Sequence, residues 1–244
     1  MRYFFLLFIS ITSFAQNFEE YIEHQFDKIY DCNQCDSDSL AKEIQKYIVV
    51  QLEKEEIYVS EEESYYFKKQ SAKDGFFHIY TFSYSSHGTR GMIDIPIIQW
   101  KKSDGTYGVY ELGLETSFYK IYKLPAKNKN LYLLIGGQKG SSLLYVGTAL
   151  VIEIENDHLI LDYPAFYDSS SLDFVDYIDS GESDCIACIE FSPENNTISI
   201  LNLGSEDSVG PMRNPSNLPD GTGRIKEIFY VFDGIKFVEQ PSSK

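Results

Sequence analysis

The sequence predicts an α+β protein that is mainly antiparallel β-sheet, with two amphipathic helices near its amino terminus. Three observations lead to this fold class. Apolar side chains recur at helical spacing over residues 17–52, β-rich runs follow from about residue 64, and hairpin-type turn residues separate these runs. A sandwich or a strongly curled sheet is the expected architecture, and a propeller-like arrangement is the alternative.

The two helices are predicted from apolar stripes. The first stripe has spacings of four, four and three and consists of Phe18, Ile22, Phe26 and Ile29. The second recurs every four residues after Ser39, its predicted N-cap, and consists of Leu40, Ile44, Ile48 and Leu52. We interpret both stripes as core, so residues 16–56 form a helical segment packed on the sheet of a β domain at residues 57–244.

Strands are predicted where apolar and aromatic residues concentrate between turns. In the clearest strand, one face carries Phe76, His78, Tyr80, Phe82 and Tyr84. Further strands are predicted at residues 93–100, 107–112, 118–124, 131–135, 149–154, 159–161, 186–191, 198–203 and 227–232. The turn signals between them are Asp104-Gly105, Asn128-Lys129-Asn130, Asn156-Asp157, Asn195-Asn196 and Asp233-Gly234. Because no long helical segment separates these strands, the sheet is expected to be antiparallel.

The amino terminus has the three parts of a secretory signal peptide. A positive charge at Arg2 precedes the apolar residues 3–9, and small side chains at Ser13 and Ala15 fit a cleavage site after Ala15. The apolar run is shorter than the about 20 residues that a membrane-spanning helix needs. We therefore expect residues 1–15 to be removed and the mature protein, without a transmembrane anchor, to lie in the periplasm or outside the cell.

The chain is strongly acidic. Its formal net charge is −16, and removal of Arg2 with the signal peptide changes this to −17. Such a surface repels phosphate backbones and anionic headgroups, which argues against nucleic-acid binding and against electrostatic membrane binding. A cationic partner suits this charge better. The alternative is an acidic surface that only keeps a secreted protein soluble.

Two long segments interrupt the predicted strands. Residues 164–184 contain six acidic residues and no basic one, and residues 204–224 are rich in Gly, Pro, Ser and Asn. The predicted hairpin 185–203 joins them, so antiparallel pairing places both at the same end of the sheet, where we expect the binding surface. The candidate binding residues are Asp173, Asp176, Asp179, Glu182, Asp184 and Arg213. Two surface loops without a ligand are the competing interpretation.

Metal binding is a separate question for the acidic segment 164–184. Calcium takes several oxygen ligands, which this segment supplies, but it does not match the Asp-x-Asp-x-Asp-Gly loop pattern. We predict no metal and no other cofactor.

Four cysteines form two Cys-x-x-Cys pairs, Cys32 with Cys35 and Cys185 with Cys188. Export favours structural disulfides, although four thiolates can also hold zinc. A short loop can bridge Cys32 and Cys35. Cys185 and Cys188 fall in a predicted strand, where residues three apart are roughly 10 Å from each other, beyond disulfide reach. A disulfide between Cys185 and Cys188 therefore needs a turn at the start of the strand. Otherwise one or both of them pair with Cys32 or Cys35. A metal site, free thiols and redox activity are the remaining alternatives.

The sequence contains few patterns typical of enzymes. It has no Gly-x-Ser-x-Gly and no His-Glu-x-x-His motif. Residues 136–142 lack the spacing of a phosphate-binding loop, so we expect a glycine-bearing turn there. Among the histidines, His24 and His158 are predicted to be solvated and His78 to lie in the core. His87, in a polar loop with Ser and Thr, is the candidate acid–base residue.

These observations favour an exported, non-catalytic binding or structural protein whose ligand is a protein or a glycan. A specific form of this hypothesis is an inhibitor of a cationic extracellular enzyme, captured electrostatically by residues 164–184. The alternative is an exported hydrolase that uses His87 or a pair of carboxylates.

Overall fold

The computed structural model describes residues 18, 20–25, 27–29, 37–59, 66–85, 91–139, 144–167, 169–177, 188–201 and 228–240, with backbone alone at residues 144, 174–177, 188 and 201. The predicted signal peptide, residues 1–15, lies outside these ranges. Within them the protein is mainly antiparallel β with few helices, which confirms the coarse fold class. No barrel or propeller is present in the described ranges.

The strands of these ranges form three sheets. The first consists of β1 (Phe67–Ser71), β2 (Phe77–Ser85), β3 (Met92–Lys101) and β4 (Tyr107–Glu111), adjacent in that order. The second consists of β5 (Ser117–Lys123), β6 (Asn130–Lys139), β7 (Leu144–Glu155) and β8 (His158–Ile160) in that order, with β9 (Ser171–Tyr177) also paired to β7. The third consists of β10 (Cys188–Ser192), β11 (Thr197–Leu201), β12 (Ile228–Phe232) and β13 (Phe237–Gln240) in that order.

The chain divides into two compact units. Unit 1 comprises Met1–Gln70 and Phe76–Glu115, and unit 2 comprises Ser71–Gly75 and Thr116–Lys244. Unit 1 therefore contains most of the first sheet, and unit 2 contains the second and third sheets.

In unit 1 the helix Ser37–Leu52 packs on the first sheet. The buried face of the helix consists of Ala41, Ile44, Ile48 and Leu52. These side chains form one core cluster with sheet residues that include Tyr80, Phe82 and Ile97. The apolar stripe predicted from spacing is thus confirmed as core at Ile44, Ile48 and Leu52. The predicted N-cap is wrong, because the helix already begins at Ser37 and Ser39 lies in its first turn.

The buried side-chain amide of Gln99 caps the carboxyl end of this helix. Gln99 Nε2 donates to the carbonyl oxygens of Leu52, at 2.7 Å, and of Glu55, at 2.9 Å. The Tyr80 hydroxyl donates to the Ile57 carbonyl oxygen at 3.1 Å and lies 3.3 Å from Gln99 Oε1. A helix end leaves carbonyl groups without helical partners, and Gln99 satisfies one of them from β3.

The core of unit 2 draws side chains from both of its sheets. The second sheet contributes Leu131, Leu133, Ile135, Ala149 and Val151 to this cluster. The third sheet contributes Ile189, Phe191, Ile198, Ile200, Tyr230, Phe232 and Phe237. In β6 both faces are buried from Leu131 through Gly137, which explains why this strand is a continuous apolar run rather than an alternating one.

Each of the five predicted turns contains a residue with positive φ, as hairpin turns require. The residues are Gly105 (86°), Asn128 (62°), Asn156 (48°), Asp157 (66°), Asn196 (54°) and Gly234 (101°). These turn predictions are confirmed, and they set the ends of the strands on either side.

The sequence did not predict β1, β9 or β13. The omission of β9 matters most, because residues 171–177 were predicted to belong to a long irregular segment, and that prediction is wrong. β9 pairs with β7 from Leu144↔Tyr177 to Leu150↔Ser171. This long-range pairing gives hydrogen-bond partners to the backbone of a segment in which four apolar or aromatic residues are interspersed with one Ser and two Asp.

Residues 136–139 lie inside β6, so the predicted glycine turn is wrong at these positions. A Cβ on Gly136 would meet the backbone of Ser117 and Phe118, and a Cβ on Gly137 would meet the ring of Tyr145. Gly136 also stands opposite a bulge in β5, between Phe118 and Lys120. The two glycines are therefore explained by close packing within the sheet.

Candidate functional site

A tight turn before β9 presents an exposed aromatic side chain. The Phe166 amide donates to the Ser169 carbonyl oxygen and the Ser169 amide donates to that of Phe166, both at 2.8 Å. Between them Tyr167 has a φ of 54° and is 87% exposed. The other non-glycine residues with positive φ in the described ranges are Asn128, Asn156, Asp157 and Asn196. Asn and Asp tolerate left-handed backbone, whereas a bulky residue there is an outlier.

The base of this turn is held by an aromatic cluster. The Phe237 amide donates to the Ala165 carbonyl oxygen at 2.7 Å, so the segment before the turn attaches to the start of β13. The rings of Phe166 and Phe237 stack with centroids 5.0 Å apart, and Tyr230 meets Phe166 edge-on at 6.4 Å. All three rings are buried, which fixes the turn relative to the third sheet.

A second turn, between β12 and β13, lies beside the first. One carboxylate oxygen of Asp233 accepts from the amides of Ile235 and Lys236, each at 2.8 Å. These backbone hydrogen bonds, that from Lys236 first, hold the pKa of Asp233 below its ordinary value. The Tyr163 hydroxyl donates to the Ile235 carbonyl oxygen at 2.7 Å. The turn that carries Lys236 is therefore well braced.

The Tyr167 pocket lies between these elements and has a volume of about 800 Å³. Its wall consists of Phe166, Tyr167, Ser169, residues 171–173, Tyr230 and residues 236–239. Every lining residue belongs to unit 2. The pocket thus combines a buried aromatic floor with an exposed rim that carries hydroxyl and charged groups.

The charged groups of the wall are Asp173, Lys236 and Glu239. Asp173 Oδ1 accepts a hydrogen bond of 2.8 Å from Thr148 Oγ1, and the two residues face each other across β9 and β7. Because Thr148 is buried, this bond fixes the Asp173 carboxylate on the face of β9 that it shares with Thr148 of β7, opposite to the face of Leu172. Among the described residues of the wall, two carboxylates and one ammonium group give a net negative charge.

The predicted site residues coincide with this pocket at one position. Asp173 lines it, and Asp176 lies in β9 with its backbone alone described. Four of the predicted residues lie outside the described residues: Asp179, Glu182, Asp184 and Arg213. The described residues also exclude 178–184 and all of 204–224. Cys188 stands opposite Leu201 at the open end of the β10–β11 hairpin.

The cysteine predictions stay predictions. Cys32, Cys35 and Cys185 lie outside the described residues, and Cys188 is described by its backbone at the first position of β10. Ile189 and Phe191 of this strand are both buried in the core of unit 2.

Sequence reasoning missed most of the pocket. It did not single out Tyr167, Tyr230 or the residues 236–239 of the wall. One signal was present: the aromatic pair Phe166-Tyr167 directly precedes Asp168 and three serines, which is a turn composition. The convergence of that turn with β13 depends on pairing over about 70 residues and has no local signature.

The histidine predictions have mixed outcomes. His24 and His158 are exposed and His78 is buried, as predicted. His87 lies outside the described residues. His78 Nε2 lies 3.6 Å from Glu56 Oε1, in unit 1.

Glu56 lies in a second group of charged side chains, which is distinct from the pocket. Burial raises the pKa of Glu56, but the Lys69 hydrogen bond and the nearby charges of His78 and Lys69 outweigh it and hold this pKa below its ordinary value. Lys69 Nζ also lies 5.5 Å from the Tyr80 ring centroid. An ionised Glu56 with these partners ties the segment after the helix to β1 and β2, which is a structural role.

Two further features bear on function. No group of three or more His, Cys, Asp or Glu side chains placed to hold a metal ion is present in the part of the chain that the structure describes. Of the helices described, none is long and apolar enough to span a membrane.

A scan against protein-family models finds no family that matches this chain, and searches of curated proteins and of solved structures find no similar protein. Function is therefore argued from the site itself.

Proposed function

We propose that the protein is an exported, non-catalytic binding protein whose ligand occupies the Tyr167 pocket. The observation that supports this most directly is Tyr167 itself, an exposed aromatic residue in left-handed backbone on the rim of a cavity of about 800 Å³. Such backbone persists where the surrounding structure holds it, and it concentrates at ligand sites. Ligand pockets in proteins typically measure about 300–1,000 Å³, a range that includes this cavity.

The pocket also lies in the region where a binding surface was expected. Residues 166–173 belong to the acidic segment 164–184, and Asp173 is one of the predicted binding residues. The Thr148 hydrogen bond gives this carboxylate a fixed position, which a recognition group needs if it is to orient a ligand.

Export is proposed from residues 1–15, which have the charge, apolar run and small residues of a secretory signal. The acidic composition is compatible with a protein that must stay soluble outside the cytoplasm. We place the mature protein in the periplasm or outside the cell.

We propose a β-sandwich architecture for unit 2 and two amphipathic helices over residues 17–52. The common core cluster of the second and third sheets supports the sandwich, because inner faces of packed sheets share one core. Buried Phe18, Ile22 and Ile29, at helical spacing, support the first helix.

An exported hydrolase is the second candidate, and one observation favours it. Asp173 and Glu239 line the same pocket, and a pair of carboxylates is what glycoside hydrolysis requires. The binding proposal ranks first because Asp173 accepts a hydrogen bond from buried Thr148, an arrangement that positions a carboxylate without requiring it to exchange protons.

The test compares the purified protein with its Tyr167→Gly variant against soluble oligosaccharides, basic peptides and acidic peptides. Binding is followed by calorimetry, and the same mixtures are analysed by mass spectrometry for cleavage products. We expect one ligand class to bind the protein without being cleaved. The same ligand should bind the variant about fivefold more weakly, since one aromatic contact contributes about 1 kcal/mol. Binding that is identical in the variant would overturn the proposal, and cleavage products that disappear in Asp173→Asn would establish the hydrolase.

A further inference from the structure

Resting on the proposed function, we infer that the Tyr167 pocket binds a basic side chain, lysine or arginine, of a protein partner. The pocket brings together three features that suit such a side chain: carboxylates, an exposed aromatic face and an apolar wall.

The first feature is charge. Among the described residues of the wall, the two carboxylates of Asp173 and Glu239 outnumber the one ammonium group of Lys236, and the whole chain has a formal net charge of −16. The field of such a molecule attracts cations over distances of about a Debye length and raises the association rate of a basic partner. An anionic ligand would meet repulsion from the wall and from the molecule as a whole.

The second feature is the aromatic rim. Tyr167 is 87% exposed, so its ring face is accessible to a ligand. A lysine or arginine head over a tyrosine ring gains about 0.5–1 kcal/mol at an exposed site. The backbone hydrogen bonds between Phe166 and Ser169 hold the turn that carries this ring, which reduces the entropy lost on binding.

The third feature is the apolar part of the wall. Leu172 and Val238 line the pocket beside the carboxylates. Lysine and arginine bury their aliphatic stems along apolar surface while the charged head contacts polar groups. A pocket with both kinds of wall therefore matches the whole side chain and not its charge alone.

The surface around the pocket favours a macromolecule over a free amine. Val238 is 39% exposed, and Ile235, next to Lys236, is 67% exposed. With Tyr167 these residues give an apolar surface at the rim that a small cation would leave in contact with water. Apolar residues exposed around a polar site are typical of protein–protein contacts.

The experiment uses three probes with the purified protein: a Gly/Ser peptide with one central lysine, the same peptide with that lysine acetylated, and a neutral cello-oligosaccharide. Acetylation removes the charge and keeps the stem. We expect the free-lysine peptide to bind about tenfold more tightly than the acetylated one, from the combined loss of ion-pair and cation–π contacts.

Two matched pairs of variants locate the effect. Asp173→Asn keeps an acceptor for Thr148 and should weaken the lysine peptide up to about fivefold, whereas Glu194→Gln, the same charge change in the β10–β11 turn, should leave it unchanged. Tyr167→Gly should weaken it by a similar factor, whereas Tyr58→Gly, another exposed tyrosine, should not.

The outcomes separate this inference from the proposed function. Equal binding of both peptides overturns the inference. The inference is also wrong if the oligosaccharide binds, if its binding depends on Tyr167, and if Asp173→Asn does not change that binding. This second result would still support the proposed binding function. If the lysine peptide binds equally well to the Tyr167→Gly and Asp173→Asn variants, both the inference and the assignment of the pocket are wrong.

Discussion

Tyr167 combines two properties that proteins usually avoid in one residue, a left-handed backbone and a large side chain in water. Its exposed ring contributes little to the core, so packing does not account for it. The positions with comparable backbone, Asn128, Asn156 and Asn196, have residues that local hydrogen bonding adapts to such turns. Tyr167 is therefore the residue at which stability and function are expected to separate.

We expect Tyr167→Gly to leave the protein equally stable or to stabilise it by up to about 1 kcal/mol, while the ligand binds about fivefold more weakly. Glycine relieves the left-handed strain of about 1–2 kcal/mol, and the larger entropy of the unfolded chain offsets part of this gain. Urea unfolding measures the change in free energy. A loss of more than about 1 kcal/mol would show that the ring has a packing role that its exposure does not reveal.

Gly136 is a residue whose substitution we expect to be costly. In Gly136→Ala the new Cβ meets backbone atoms of β5, which move only with the strand, so we expect a loss of about 1–3 kcal/mol. Gly137→Ala is the matched variant. There the Cβ meets the ring of Tyr145, a side chain that can rotate away, and the loss should be smaller. Equal losses in urea unfolding would contradict this explanation of the two glycines.

Asp94, opposite Ser83 in the first sheet, gives a pH-dependent prediction. Burial raises the pKa of Asp94, and the Ser83 hydrogen bond and the Lys68 charge offset this only in part. The folded protein therefore binds this proton more tightly than the unfolded chain, and stability falls as pH rises from the ordinary value of 3.8 through the raised pKa.

It follows that Asp94→Asn should be more stable than the parent protein at neutral pH and that this gain should vanish at about pH 3, where the parent carboxyl is protonated. Asp104→Asn is the control with the opposite sign. The side-chain and backbone hydrogen bonds from Thr106 lower the pKa of Asp104, so its removal should destabilise the protein at neutral pH and not in acid. Gains that do not change with pH would refute the burial argument.

At the scale of elements, Gln99 connects the helix Ser37–Leu52 to the sheet of unit 1. We expect Gln99→Leu to lower the free energy of unfolding by about 2–4 kcal/mol, because the carbonyl group of buried Leu52 and that of Glu55 both lose their donor. Tyr80→Phe removes one hydroxyl and should cost about 1 kcal/mol.

The two substitutions should not be additive, since the Tyr80 hydroxyl lies beside Gln99 Oε1. Unfolding of both single variants and of the double variant in urea gives the coupling. An additive double variant would show that Gln99 and Tyr80 act separately.

The sequence predicted those structural elements that depend on residues close to one another along the chain. The helix stripe at Ile44, Ile48 and Leu52 follows from a spacing of four, and the hairpin turns follow from Asn, Asp and Gly. β9 was not predicted, because its four apolar or aromatic residues lie within the acidic segment 164–184 and its pairing partner β7 stabilises it from a distance. β13 was missed for another reason: it pairs with β12 across the predicted Asp233-Gly234 turn, but it is only four residues long.

At the scale of the whole molecule, the binding surface predicted from the sequence overlaps the proposed site, but the sequence did not predict the aromatic side chains of that site. Acidic residues in 164–184 indicated a surface, and Asp173 does line the pocket. The aromatic floor requires Phe166 to meet Tyr230 and Phe237 of the β12–β13 hairpin, and no spacing along the chain encodes a contact between two segments so far apart. The net charge, by contrast, follows from the sequence alone, and the proposal of a cationic partner rests partly on it.

The central claim is that the Tyr167 pocket of unit 2 is the binding site. The most direct test is to map, by nuclear magnetic resonance, the backbone amides that shift when the lysine peptide or an oligosaccharide is titrated into the labelled protein. We predict shifts concentrated at residues 166–173 and 236–239, with those of unit 1 unchanged. Saturable shifts centred on unit 1, or on the β5–β6 face of unit 2, would contradict the assignment of the site.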